Sequence, residues 1–92
     1  MAASPQHVTL VANVERILTF DINAGRVEIT NLDGVGEVYF TVDNTPVTVG
    51  ADGCHVLPAA ICSLELADGT SGANSIVRLR SAGTPRVSVR VW

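Results

Sequence analysis

Lysine is absent from this chain of 92 residues, and other residue types that carry chemistry are scarce: two histidines, two cysteines, one tryptophan and one tyrosine. Each shortage narrows the range of functions. A nucleic-acid binder needs a basic surface or a run of stacking aromatics, whereas this chain has a formal net charge of −3 and 4% aromatics. No apolar run is long enough to span a bilayer, and the start MAASPQHVTLVANVERI lacks a basic segment followed by a long apolar one. A protein made in the cytoplasm without membrane attachment is therefore expected, and Cys54 and Cys62 are expected to be reduced thiols.

Metal sites fare no better. His7 and His55 are far apart, and Cys54 and His55 are neighbours that a strand would point to opposite faces. With Cys62 they offer soft ligands, but no C-x-x-C or H-x-x-x-H spacing is present. Asp43, Asp52 and Asp68 each sit in turn sequences where Asp is favoured for backbone reasons, so a shared calcium ion is not expected. No serine lies in a G-x-S-x-G elbow. Gly34, Gly36 and Gly50 fall in hairpin-type loops, which argues against phosphate cradling. No catalytic residue, metal ligand or cofactor is assigned, and the chain is not expected to be an enzyme.

What is present is a β composition. Apolar residues make up 47% of the chain, valine prominent among them, and charged residues 16%. Branched side chains pack well on a pleated surface. Turn sequences recur at Asn23–Gly25, Asp33–Gly36, Asp43–Pro46, Gly50–Gly53, Asp68–Gly69 and Ala82–Pro85. Between them lie runs of strand character: His7–Ala12, Glu15–Phe20, Arg26–Asn31, Glu37–Val42, Val47–Val49, Cys54–Leu57, Ile61–Leu66, Ser75–Ser81 and Arg86–Trp92. Several alternate strictly, such as Val38, Phe40 and Val42 against Glu37, Tyr39 and Thr41. Period-2 alternation of this kind gives sheets with one dry and one wet face. No helix beyond a single turn is expected. The fold class is all-β: a two-sheet antiparallel sandwich of seven to nine short strands over residues 6–92, with a small closed barrel as the alternative and residues 1–5 as a loose tail.

Charge is distributed unevenly. Residues 1–68 hold nine acids against Arg16 and Arg26, a balance of −7, whereas residues 69–92 hold Arg78, Arg80, Arg86 and Arg90 and no acid, a balance of +4. Two arrangements follow: basic strands paired with acidic neighbours in one sheet, or a basic face that meets an acidic partner. The last strand projects Arg86, Ser88, Arg90 and Trp92 from one side, and Arg and Trp are enriched at interface hot spots. It is also compatible with a charged edge strand that resists edge-to-edge pairing. Arg78, Arg80, Arg86, Arg90, Trp92 and Tyr39 are the candidate protein-interface residues.

The phrases RVEITNLDGVGEVYFTVDNTPVTVGADGCHVLP and SIVRLRSAGTPRVSVRVW, which lie between Arg26 and Trp92, resemble small β-sandwich structural proteins of tailed phages, particularly those infecting actinobacteria. The elements that carry the resemblance are Val27–Asn31, Tyr39–Asp43, Pro46–Gly50, Cys54–Pro58 and Val77–Val89. It implies a virion component, either a head decoration or minor capsid protein that docks on the major capsid protein and forms a small homo-oligomer, or else a small tail or tail-fibre component. It implies no catalytic residue. A carbohydrate- or receptor-binding β module stands as the other reading, with Tyr39 and Trp92 as its available aromatics. An enzyme inhibitor would rely on the Gly-rich loop Ala67–Ala73, which lacks the stiffness such a role needs. No nucleic acid, membrane or small-molecule substrate is expected as a partner.

Overall fold

In a computed structural model of the chain, residues 5–32, 36–50, 53–58, 63–67, 69–70 and 74–92 are described. The strands are β1 (Gln6–Thr9), β2 (Arg16–Thr19), β3 (Arg26–Asn31), β4 (Val38–Thr41), β5 (His55–Leu57), β6 (Ser63–Ala67), β7 (Ile76–Arg80) and β8 (Arg86–Val91). They form two four-stranded antiparallel sheets: sheet A, in the order β1-β8-β3-β6, and sheet B, in the order β2-β7-β4-β5. The expected all-β two-sheet sandwich is what the chain adopts, and two separate sheets replace the alternative of one closed barrel.

The winding follows one simple rule. β1 pairs with β8, β2 with β7, β3 with β6 and β4 with β5. The chain is thus one long antiparallel ribbon, folded back on itself between β4 and β5 and rolled so that successive ladders alternate between the sheets. Rolling adds the contacts of β3 with β8 and of β4 with β7. This nested order over eight strands is that of a jelly roll.

Register is kept along the ribbon by matched links. Thr9 faces Arg86 and Arg16 faces Leu79, so the link 10–15 is matched in length by 80–85. Nearer the fold-back the two limbs differ. The link 20–25 is opposed by the longer 68–75, and 31–37 by the shorter 58–62. The offset at β3–β6 is an even number of residues. An odd one would turn the apolar side of a strand towards solvent.

Alternation then builds the core. Val87, Val89 and Val91 of β8, Val27 and Ile29 of β3 and Val8 of β1 face Val77 and Leu79 of β7, Val38 and Phe40 of β4, Leu57 of β5 and Leu18 of β2. Phe20 and Leu10, just beyond β2 and β1, are also fully buried. Burying one such aliphatic or aromatic side chain contributes about 1.5–3 kcal/mol. Leu64 and Leu66 of β6 pack on this core but remain partly exposed.

Buried polar side chains tie the links to the sheets. Ser75, fully buried, accepts the Ala24 N–H at 2.8 Å through its hydroxyl, while its backbone bonds Phe20 and Ile22. Ser81 donates to the Glu37 carbonyl at 2.6 Å and accepts from Gly83 N–H. The Asn31 amide reaches the Gly36 carbonyl, and the Thr70 hydroxyl lies within bonding distance of the Val42 and Ile76 carbonyls and the Ile76 N–H. No buried side-chain nitrogen or oxygen among the described residues lacks a partner, as stability requires of a small core.

Two strand expectations need correction. Val47–Val49 is not a strand. Pro46 offers no N–H to a ladder, and Asn44 takes a left-handed backbone with φ 65°. The last strand is not an edge: β8 lies between β1 and β3, so its charges do not serve to block a neighbour there. Cys62, Asp33, Gly34, Asp52, Asp68, most of the Ala67–Ala73 loop and residues 1–4 of the expected tail lie outside the described residues. Cys54 is a free thiol.

Candidate functional site

The six candidate interface residues divide between opposite surfaces of the sandwich. In β8 the residues alternating with the buried valines are Arg86, Ser88 and Arg90, on the outer face of sheet A. Register sets Arg86 beside Thr9, Ser88 between His7 and Thr30, and Arg90 beside Glu28. In β7 the corresponding residues are Ile76, Arg78 and Arg80, on the outer face of sheet B, and Tyr39 lies between Arg80 and Val56. The basic C-terminal segment therefore does not make one basic face. β7 and β8 are consecutive in sequence but belong to different sheets, so their arginines point in opposite directions.

On sheet B the arginines secure loops. Arg78 donates through Nη1 to Glu15 Oε1 at 2.9 Å and through Nε to Asn44 Oδ1 at 2.9 Å. The Arg78 and Glu15 side chains are only 20% and 22% exposed. Glu15 Oε2 accepts the Val47 N–H at 2.7 Å. Arg80 donates to the carbonyls of Asn13 at 2.7 Å and Val47 at 3.4 Å. Val47 is 2% exposed yet stands apart from the interior cluster. Its backbone partners are Glu15 and Arg80, both on the outer side, so segment 44–49 lies across the outer face of sheet B and covers part of it. Asn13 (φ 61°) and Asn44 are the two non-glycine residues with left-handed backbone among the described residues, and each is held by an arginine of β7. Asn tolerates this conformation better than other side chains with a Cβ.

Sheet A presents a more open surface. Arg90 pairs with Glu28 at 3.2 Å, directly across the β3–β8 ladder. Its guanidinium also lies 4.4 Å from the centroid of the Trp92 ring, a cation–π contact. Trp92 is 46% exposed although its backbone is fixed: its N–H bonds Arg26 and its carbonyl accepts from Gly25 and Arg26. Arg26 pairs with Glu65 of β6, which faces Glu28 across the β3–β6 ladder. Along this face two facing glutamates, Glu28 and Glu65, are each paired with an arginine, Arg90 and Arg26, beside a well-anchored aromatic ring. The arrangement of basic strands against acidic neighbours thus accounts for much of the charge imbalance.

Elsewhere the chemistry is sparse. Asp43 caps a tight turn. The Thr45 hydroxyl and the Thr45 N–H, 3.1 Å from Oδ1, hold its carboxyl below the ordinary range. His55 lies over the Phe40 ring with centroids 5.4 Å apart. Among the described residues no three His, Cys, Asp or Glu side chains gather as a metal-binding group, and no helix is long and apolar enough to cross a membrane.

Glu15, Asn13 and Asn44 are the structurally important polar residues that sequence reasoning overlooked. Asn44 lay within a recognised turn sequence, whereas nothing local to Asn13 or Glu15 marks them, because their partners are 32 or more positions away. Compared with protein-family models, curated proteins and solved structures, the chain matches none.

Proposed function

We propose that this protein is a structural virion component that docks on an assembled capsid through the outer face of sheet A. Its partner is the major capsid protein, its final location is the virion, and its role is to stabilise the particle. The observation that carries this reading is the asymmetry of the two outer faces. Sheet B is partly covered by segment 44–49 and its arginines are occupied by loop carbonyls and Glu15. Sheet A leaves Arg90 and Trp92 about half exposed on a backbone fixed at every step.

Three further points support it. Arg and Trp are the residues most enriched where binding energy concentrates. A domain whose links are stitched by buried hydroxyls and arginines loses little entropy on docking. Jelly rolls recur in viral capsid domains, an analogy at the level of fold alone. Lattice multiplicity would then raise avidity from modest single contacts.

The test is co-sedimentation with capsids assembled from the major capsid protein of the same genome. Saturable binding to assembled capsids is expected. Absence of binding overturns the reading, and binding to tail tubes instead transfers it to a tail component. The Trp92 ring is also the one feature that favours a carbohydrate-binding module, since jelly rolls include lectins. With one ring face taken by Arg90, a glycan array is expected to give no hits.

A further inference from the structure

Sheets with exposed edges invite pairing, and proteins usually blunt those edges with proline, unpaired charge, bulges or a covering segment. Three of the four edges here are treated in this way: β2 carries Arg16, which joins no ion pair among the described residues. β1 follows Pro5, and its Gln6 side chain bridges to the Thr19 carbonyl of β2 at 3.2 Å. β5 spans only His55–Leu57 and is followed by Pro58. β6 differs. It runs Ser63–Ala67 without proline or lysine, and its one charge, Glu65, is paired with Arg26. Among the described residues β6 pairs only with β3. Leu64 and Leu66, which belong to the core side, are only partly buried at this edge.

We propose that β6 pairs antiparallel with β6 of a second copy of this chain, joining the two A sheets into one continuous sheet. The sequence of the strand is self-complementary about Glu65. A two-fold axis there sets Leu64 against the second copy's Leu66 on the core side, completing the cover of both leucines. On the outer side Ser63 meets the second copy's Ala67, two small residues that let the strands approach. The two Glu65 carboxylates meet at the axis with a Glu28 on the far side of each, and the two Arg26 and two Arg90 guanidiniums that pair with these four carboxylates leave the seam without net charge. An unrelated partner would have to reproduce this match, whereas a second copy supplies it by symmetry. The dimer does not depend on the virion reading, but it would place two Arg90–Trp92 pairs on one broad face.

Sedimentation equilibrium of the full chain tests this, with amide hydrogen exchange to locate the contact. The chain is expected to sediment at twice its mass, with amides of Ser63–Ala67 exchanging more slowly as concentration rises. The variant Ser63→Glu/Ala67→Glu changes only side chains of the outer side, sets glutamate against glutamate twice across the axis beside the Glu65 pair, and puts the new carboxylate at position 67 across from Arg26 of the same chain. It should keep the circular dichroism spectrum and weaken the dimer roughly tenfold. A monomer at all concentrations, a trimer, or a dimer whose Ser63–Ala67 amides exchange at a concentration-independent rate would overturn the proposal.

Discussion

Replacing Glu15 by alanine should destabilise the protein far more than any other carboxylate substitution in an ion pair. The Glu15 carboxylate receives two donors, Arg78 Nη1 at 2.9 Å and the Val47 N–H at 2.7 Å, and the pair is mostly shielded from solvent. Hydrogen bonds to charged groups contribute about 1.5–3 kcal/mol, and leaving a buried donor unmatched costs about 1–3 kcal/mol. The two effects overlap, because Arg78 keeps Asn44 and part of the site can hydrate. A net loss of about 3 kcal/mol is expected, a large share of the roughly 5–14 kcal/mol typical of a domain this size. In urea unfolding followed by circular dichroism, that loss moves the midpoint down by about 1–3 M with little change in slope. Glu28→Ala is the internal comparison. It breaks the Arg90 pair, whose arginine side chain is 53% exposed, and exposed pairs contribute only about 0–1 kcal/mol. Midpoints for the two variants that coincide would refute the inference that Glu15 locks segment 44–49 onto sheet B.

Three other outcomes follow from single contacts. Ser75→Ala removes the acceptor of the buried Ala24 N–H and should cost about 1–3 kcal/mol by the same unfolding assay. Asn13→Ala should cost about 1–2 kcal/mol while Asn13→Gly is near neutral, because the left-handed φ of 61° penalises a plain Cβ and the bonds to Ser81 and Arg80 use only the backbone. Asp43, held below its ordinary value of 3.8 by the Thr45 hydroxyl and N–H, stabilises the fold at pH values above that ordinary value. The contribution is lost as pH falls through the lowered folded value. The stability gap between wild type and Asp43→Asn should therefore shrink on acidification from neutral pH, and a constant gap in a pH series of urea melts would count against it.

The sequence made some elements plain and concealed others. β3 could be read to the residue because Val27 and Ile29 alternate with Glu28 and Thr30, then end at turn residues. The dry faces of β4, β7 and β8 were equally legible, as was the two-sheet class. Val47–Val49 misled because branched residues satisfy a strand pattern without revealing that Glu15 and Arg80 take the Val47 backbone groups. β1 proved shorter than its apolar alternation, which continues to Leu10 even as the Leu10 N–H turns to Pro85. Which strands share a sheet could not be read, since every strand carries the same alternation and the order depends on matched link lengths far apart in the chain. That order decides between the two arrangements of charge that the sequence left open. Arg78 and Arg90 look like parts of one basic segment, yet the link 81–85 carries the chain from one sheet to the other.

The most direct measurement is capsid co-sedimentation of two double variants beside the wild type. Arg90→Ala/Trp92→Ala removes the anchors exposed on sheet A, and Ile17→Ala/Val56→Ala trims exposed apolar side chains of sheet B. Loss of two hot-spot side chains should weaken binding by roughly thirtyfold or more, while the sheet B variant binds as the wild type does. Equal binding by both folded variants, or a loss confined to the sheet B variant, would contradict docking through sheet A.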